Sequence, residues 1–276
     1  MKSKSEPKRI FFRASSVGRL MAGQHGLTDK QASELDELLK RRELSLDDPK
    51  KALTSKMVET LSMLIERRDA PFELSQGAKT YVIEEWLRLE YGYKQLVVTD
   101  EMLKGDLCEQ DGFGLLDIVF PHSTHFREKN QFSKRDEYFS GTPDSVFPDL
   151  IEDVKCSWDI RTFVDVTEPP TLYEAQGQVY MHLFKRSKFR LCYCLVNTPQ
   201  VLVDNEIRRM FYRYGQDEDN KHFLEAQEQI IKNHTFDAIP PERRVRTFDL
   251  EFSPEYIREL KFRVDAGNEF YHTLKL

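Results

Sequence analysis

Hydrophobic side chains recur at helical spacing through the first third of the chain. The clearest case is residues 74–92, where Ser75 can cap the start of a helix and Gly92 can end it. The apolar positions of this segment share one face: Ala78, Tyr81, Val82, Trp86 and Leu89. Residues 28–68 are rich in leucine and charge and predict further helices. This part of the chain is therefore expected to be mostly helical.

A short helix is also predicted before these, in "RASSVGRLMAG" at residues 13–23. Ser15 or Ser16 can serve as its N-cap, and Gly23 can stop it. Residues 1–9 are polar and charged and are expected to form a flexible tail.

Runs of high β propensity begin after residue 120. Residues 124–132 and 137–147 predict the two strands of a hairpin, and residues 150–157 predict the next strand. A helix with prolines at its entry, 167–184, precedes a further strand at 187–197. The remaining predicted elements are a helix start at 99–112, helices near 204–214 and 219–233, a short strand at 244–252 and a last helix from Ser253. This order of helices and strands predicts a mixed α/β fold.

Length and composition restrict the class of protein. A chain of 276 residues with 39% hydrophobic and 12% aromatic residues can bury a multistrand core and is not disordered. We predict one domain over residues 10–276, in which 200–276 form a C-terminal extension of helices and a strand. The formal net charge of −6 does not suggest a nucleic-acid binder, but an acidic surface can coexist with a local basic groove.

The four cysteines form no Cys-x-x-Cys pair and have no histidines at zinc spacing, so free thiols of an intracellular protein are expected. The start of the sequence lacks the apolar region of a signal peptide, and no apolar run reaches membrane-spanning length. The sequence therefore predicts a soluble protein of the cytoplasm with no membrane partner.

Acids and a lysine occupy the predicted strand at 150–157, where an ordinary strand would be apolar or alternate cleanly. Because side chains alternate along a strand, Asp153 and Lys155 point to one face and Glu152 to the other. A short return between adjacent strands would bring Asp144 close to Asp153. Two such carboxylates repel each other unless a cation lies between them, and hard oxygen ligands suit Mg²⁺ or Mn²⁺.

This pattern, Pro143-Asp144 followed by Asp153-Val154-Lys155, resembles the PD-(D/E)xK nuclease superfamily. Three further segments resemble those of lambda-type phage exonucleases and YqaJ-like viral recombinases. They are "GDLCE", which ends at Glu109, "YEAQGQVYM", which contains Gln176, and "RASSVGRLM" near the start. The matches follow the order of that family over residues 13–200.

The resemblance implies a restriction-endonuclease-like core, with a central mixed β-sheet flanked by helices, and metal-dependent hydrolysis of phosphodiester bonds. Asp144, Asp153 and the Val154 carbonyl would hold Mg²⁺, for which Mn²⁺ is expected to substitute. Glu109 would complete a second metal position.

The resemblance also implies roles for residues around the metal. Lys155 would orient or help deprotonate the attacking water, and Gln176 would hold that water or the substrate phosphate. Arg13, Ser15 and Thr142 correspond to residues that contact the terminal phosphate of the DNA, a role that suits guanidinium and hydroxyl donors.

The implied substrate is linear duplex DNA digested from a 5′ end, in phage-type homologous recombination within a bacterial host cell. The resemblance further suggests a single-strand annealing recombinase as partner and a ring-shaped homotrimer. Two alternatives stay open: a structure-specific or restriction-type endonuclease of the same fold, and a non-catalytic DNA-binding subunit.

Overall fold

The computed structural model describes residues 9–23, 26–48, 50, 52–121 and 127–276. The tail expected at residues 1–9 lies outside these residues except for Arg9. The first part of the strand expected at 124–132 also lies outside them.

The strands of the described residues form two sheets. In chain order they are β1 (Phe12–Arg13), β2 (Lys134–Arg135), β3 (Phe139–Gly141), β4 (Ser145–Val146), β5 (Leu150–Cys156), β6 (Lys188–Cys194) and β7 (Val245–Glu251). One sheet has the order β1-β3-β2 and the other β4-β5-β6-β7. β5 and β6 run parallel, whereas β4 and β7 pair antiparallel at the two edges, so the larger sheet is mixed.

Helices connect and flank these strands. They are α1 (Ala14–Val17), α2 (Asp29–Asp47), α3 (Ser55–Asp69), α4 (Gln76–Tyr91), α5 (Asp100–Leu107), α6 (Glu109–Val119), α7 (Ile160–Asp165), α8 (Thr171–Phe184), α9 (Gln200–Arg213), α10 (Lys221–Asn233) and α11 (Pro254–Thr273). Short 3₁₀ turns also occur at Gly18–Met21 and Pro241–Arg243. The parallel pair β5–β6 is joined through α7 and α8, since parallel strands need a crossover. The predicted α/β class, with a mixed sheet flanked by helices, is confirmed. None of the described helices is long and apolar enough to cross a membrane.

The larger sheet separates two apolar clusters. On one face, Ile151 and Phe189 join the main core, to which α4, α8 and α11 also contribute. On the other face, Val154 packs with Cys192 and with Phe113 of α6. The alternation of side chains along β5 therefore puts Asp153 and Lys155 on the α8 side and Glu152 on the α6 side.

The helix predicted most clearly has the predicted ends. The Ser75 side chain accepts a hydrogen bond from the Ala78 N–H at the start of α4. Gly92 follows its last residue with a φ of 66°, in the left-handed region that favours glycine.

Three local predictions are wrong. The helix expected at 99–112 is two helices, because the chain turns at Cys108 before α6 packs beneath the sheet. The first strand of the hairpin, β2, lies after the expected range 124–132, and its partner β3 is shorter than the expected 137–147. The tip is at residues 136–138, where the Asp136 side chain accepts from two backbone N–H groups. Neither Ser15 nor Ser16 caps α1, whose N-cap position is Arg13. The Ser16 hydroxyl instead bonds the Tyr81 hydroxyl at 2.7 Å.

Candidate active site

The short return from β4 to β5 brings two carboxylates together. Ser145 pairs with Glu152 across the two strands, so the same register puts Asp144 opposite Asp153. The Val154 N–H donates to Asp144 Oδ2 at 2.7 Å, which fixes the Asp144 carboxylate against β5. Burial, and then repulsion from Asp153, raise the pKa of Asp144 to about 7 in spite of the nearby Lys155.

Lys155 lies beside these acids on the same face of β5. Its Nζ is 2.5 Å from Asp153 Oδ2 and 4.9 Å from the centre of the Tyr173 ring. Burial alone would lower the pKa of Lys155, but Asp153 and Asp144 outweigh it and raise that pKa. In this arrangement Lys155 is a protonated donor. Asp153 Oδ2 is buried and has this ion contact but no hydrogen bond of good geometry among the described residues.

Glu109 reaches the site from the first turn of α6. Its Oε2 accepts from Lys129 Nζ at 2.5 Å, and its buried Oε1 has no hydrogen-bond partner in the described part of the chain. Glu109 adds to the repulsion that raises the pKa of Asp144, which indicates that the three carboxylates share one region.

Carboxylates are the ligands that a hard divalent cation prefers, but these three do not converge on a single position. Among the described residues, no three His, Cys, Asp or Glu side chains stand close enough to form a ready-made metal site. Two lysines instead contact two of the three acids. However, Glu109 Oε1 and Asp153 Oδ2 are buried acceptors without a hydrogen bond, and such oxygens are suitable ligands for Mg²⁺.

Gln176 lies over this site from the middle of α8. Its Nε2 is 3.4 Å from Asp153 Oδ1 and donates to the Tyr180 hydroxyl at 2.9 Å. Tyr180 in turn donates to the Thr142 carbonyl at 3.2 Å. α8 packs closely against β6 at Gly177, where an added Cβ would lie 2.4 Å from the Phe189 ring.

Arg13, Ser15 and Thr142 line one cavity of about 370 Å³. Tyr180 also lines it, so the hydroxyl that bonds Gln176 joins this cavity to the carboxylates. Arg13 makes no ion pair with any described residue. The structure thus brings together the three side chains for which the resemblance implies phosphate binding.

Glu152, adjacent to Asp153 in sequence, belongs to a separate ion-pair network on the α6 side. Arg127 Nε donates to Glu152 Oε2 at 2.6 Å, and Arg127 Nη1 donates to Asp117 Oδ1 at 2.7 Å. Both Glu152 and Arg127 have fully buried side chains. Glu152 is therefore a structural counter-ion, and the alternation of the strand assigns Asp153 to the site.

The sequence pattern missed two site residues. Lys129 follows no recognisable spacing to Glu109, since residues 127–133 adopt no regular structure. Tyr180 was detectable, because it stands four positions after Gln176 and therefore shares its helix face. It both packs in the core and bonds Gln176.

No protein-family model matches this chain, and no curated protein matches it in sequence. Among solved structures, it is similar to a phage-related exonuclease from Haemophilus somnus 129PT, with 19% identity and a TM-score of 0.64. That alignment covers 96% of this chain and 95% of the other. It is also similar to an alkaline exonuclease from Laribacter hongkongensis, with 12% identity, a TM-score of 0.50 and coverage of 73% and 83%. At these identities the likeness establishes the fold, which this chain shares with phage-related and alkaline exonucleases.

Proposed function

We propose that this chain is a metal-dependent deoxyribonuclease that digests linear duplex DNA from a 5′ end. The observation that carries the proposal is the meeting of Asp144, Asp153 and Lys155 at one strand return, with Gln176 above them. The shared fold with exonucleases supports the reaction class.

The acids would serve a divalent ion, Mg²⁺ with Mn²⁺ able to substitute. Asp144, Asp153 and the Val154 carbonyl would hold it, and Glu109 would complete a second position. When bound, the ion polarises the phosphate and lowers the pKa of a bound water.

The side chains around the acids would position the reactants. The Lys155 ammonium would orient the attacking water and offset the phosphate charge, a role for which a protonated lysine is suited. Gln176 would bind the same water or a phosphate oxygen through its amide. A hydrogen bond to the Tyr180 hydroxyl already fixes the orientation of the Gln176 amide.

The cavity lined by Arg13, Ser15 and Thr142 would bind the DNA end. A guanidinium without a carboxylate partner and two hydroxyls form a good site for a terminal phosphate. We further propose that the product 3′ strand is passed to a single-strand annealing recombinase, in phage-type homologous recombination, and that the chain acts as a homotrimer.

The experiment that tests the function uses linear duplex DNA with a 5′ phosphate, labelled at each end in turn, with Mg²⁺ and with EDTA. We expect Mg²⁺-dependent loss of the 5′ label first. Lys155→Ala should lower the rate by roughly 100-fold or more, because it removes a charged donor at the reacting phosphate. Arg161→Ala, which removes an exposed ion pair with Asp165 on α7, is the matched control and should cut normally.

Two outcomes would contradict the proposal. Cleavage of closed circular DNA at internal positions, unaffected by blocked ends, would indicate an endonuclease of the same fold. Binding of DNA ends without cleavage under any divalent metal would indicate a non-catalytic DNA-binding subunit.

A further inference from the structure

Phe132 has an apolar side chain that is exposed to solvent beside the candidate active site. It is the most exposed aromatic residue in the described part of the chain, at 77%. A single exposed apolar residue is ordinary, so its exposure alone carries no inference. The fixed backbone at Phe132 and the charges around it are what distinguish it from the other exposed aromatics.

The Asn130 side chain fixes the backbone at Phe132. Asn130 Oδ1 accepts from the Phe132 N–H at 3.0 Å, and Asn130 Nδ2 donates to the Phe132 carbonyl at 3.0 Å. The same Nδ2 donates to the Pro143 carbonyl at 3.0 Å, and the Asn130 N–H donates to the Asp144 carbonyl at 2.7 Å. One asparagine therefore ties the backbone of the exposed aromatic residue to the backbone of a candidate catalytic acid.

The segment before Asn130 is anchored as well. Arg127 is buried in its ion pairs with Glu152 and Asp117, and the Glu128 carbonyl accepts from the Ser145 hydroxyl at 3.2 Å. Consequently Phe132 follows three attachments to the sheet and the strand return, at residues 127, 128 and 130. Its position relative to Asp144 is set by the fold.

A hollow of about 530 Å³ lies beside this aromatic side chain. Phe132, Lys134, Phe184 and Arg186 line it, together with Lys129 and the acid Glu128. Arg186 donates to three backbone carbonyls, and Lys134 lies 4.7 Å above the Phe184 ring. Neither cation pairs with a carboxylate among the described residues, so their charges are available to an anionic ligand.

An exposed ring flanked by unpaired cations fits a nucleic-acid strand. Bases stack on aromatic rings, and lysine and arginine contact the phosphates between them. The neighbouring Ser133 lines the cavity of Arg13, Ser15 and Thr142, so the hollow adjoins the proposed phosphate site. A folded protein surface would require a larger apolar area than this ring and its surroundings provide.

We propose that Phe132 stacks on an unpaired base of the DNA strand bound at the carboxylates, with Lys134 and Arg186 binding its backbone phosphates. The inference deepens the proposed function and rests on it for the identity of the ligand as DNA. It adds a specificity-determining residue that favours a frayed or single-stranded end over a closed duplex.

The test measures binding without cleavage. Oligonucleotides with a 2-aminopurine at successive positions from a 5′-phosphorylated end, single-stranded or in a duplex with a frayed end, are titrated with the protein in EDTA. We expect the fluorescence of one position to be quenched by stacking. Phe132→Ala should abolish that quenching and weaken binding roughly 5- to 150-fold. Phe132→Trp should retain both, since it keeps an aromatic surface.

Two controls separate stacking from general effects. Tyr212→Ala removes another exposed aromatic side chain, on α9, and should leave quenching and affinity unchanged. Lys134→Met should weaken binding at every position and reduce its salt dependence, without removing the quenching.

The inference would be overturned if Phe132→Ala kept the quenching and the affinity of the wild type. It would also be overturned if Phe132→Ala and Tyr212→Ala showed the same quenching at every position. The readout does not depend on catalysis. If the protein shows quenching that depends on Phe132 but never cuts DNA, the proposed function is wrong and the inferred stacking site still stands.

Discussion

Lys104 is a lysine whose side chain the fold buries completely. It is 0% exposed, and its Nζ donates to the Trp158 carbonyl at 2.9 Å. The rings of Trp158 and Phe236 lie within 6.0 Å and 5.3 Å of the same nitrogen. Burial away from water lowers the pKa of Lys104 to about 8, from an ordinary value of 10.5.

This shift predicts a pH dependence of stability. Between about pH 8 and pH 10.5 the unfolded chain binds a proton at Lys104 that the folded chain has released. Stability linked to this group therefore rises with pH through that window, by roughly 1–3 kcal/mol. Lys104→Met removes the titrating group. From pH 7.5 to 10.5, the free energy of unfolding of the wild type should therefore rise relative to that of the variant. Chemical denaturation at each pH measures the difference, and parallel curves would refute the prediction.

At the scale of elements, one glycine lets α6 approach β5. A Cβ at Gly112 would lie 2.7 Å from Val154 Cγ1 and 3.3 Å from Cys156 Sγ. Gly105, the glycine of the "GDLCE" segment, has no atom within 4 Å of such a Cβ. The close approach that brings Glu109 to the strand return thus depends on Gly112 and not on Gly105.

Matched alanine substitutions test this difference. Gly112→Ala should destabilise the protein by about 1–3 kcal/mol, because the stiff Val154 side chain must move and α6 with it. Gly105→Ala should stabilise it by about 0.5–1 kcal/mol, since alanine favours a helix and meets nothing there. Denaturant titration measures both. Gly112→Ala should also lower the proposed nuclease activity more than its stability loss explains, and equal effects of the two substitutions would contradict the argument.

How well the sequence predicted each feature depends on how far apart in sequence the interacting residues lie. The ends of α4 and the alternation of β5 depend on neighbours in sequence, so Ser75, Gly92, Asp153 and Lys155 were found correctly on their elements. The turn at Cys108 is set by the packing of α6 beneath a sheet that is distant in sequence, and no local signal marks it. The segment 127–132 resembles a strand, but Arg127 is bound by Glu152, a partner 25 positions away.

For the whole molecule, residues near both ends of the chain meet beside the main core. The Ile10 N–H donates to Asn268 Oδ1 at 2.8 Å, and Asn268 Nδ2 donates to the Ile10 carbonyl at 3.1 Å. Arg263, one turn earlier on α11, donates to the Leu20 carbonyl at 3.1 Å. α11 thereby holds β1 and the turn after α1. These segments flank α1, so together they position Arg13 of β1 and Ser15 of α1 at the candidate phosphate cavity. How residues 200–276 serve the site was not readable from sequence, since these contacts span more than 240 positions.

Loss of the Asn268 amide should therefore loosen the candidate phosphate cavity before it affects β5. Asn268→Leu leaves both polar groups of Ile10 without a partner in a buried place, at a cost of about 2–3 kcal/mol. Hydrogen exchange should show lost protection at Phe12 and Arg13, with residues 150–156 of β5 still protected. Asn233→Ala, at the exposed end of α10, is the matched control and should change neither. Because Arg13 would then be poorly positioned, the variant should also lack the proposed preference for a 5′ phosphate over a 5′ hydroxyl. Uniform loss of protection across β1 and β5 would show that α11 supports the whole fold and does not act on the candidate phosphate cavity through Ile10.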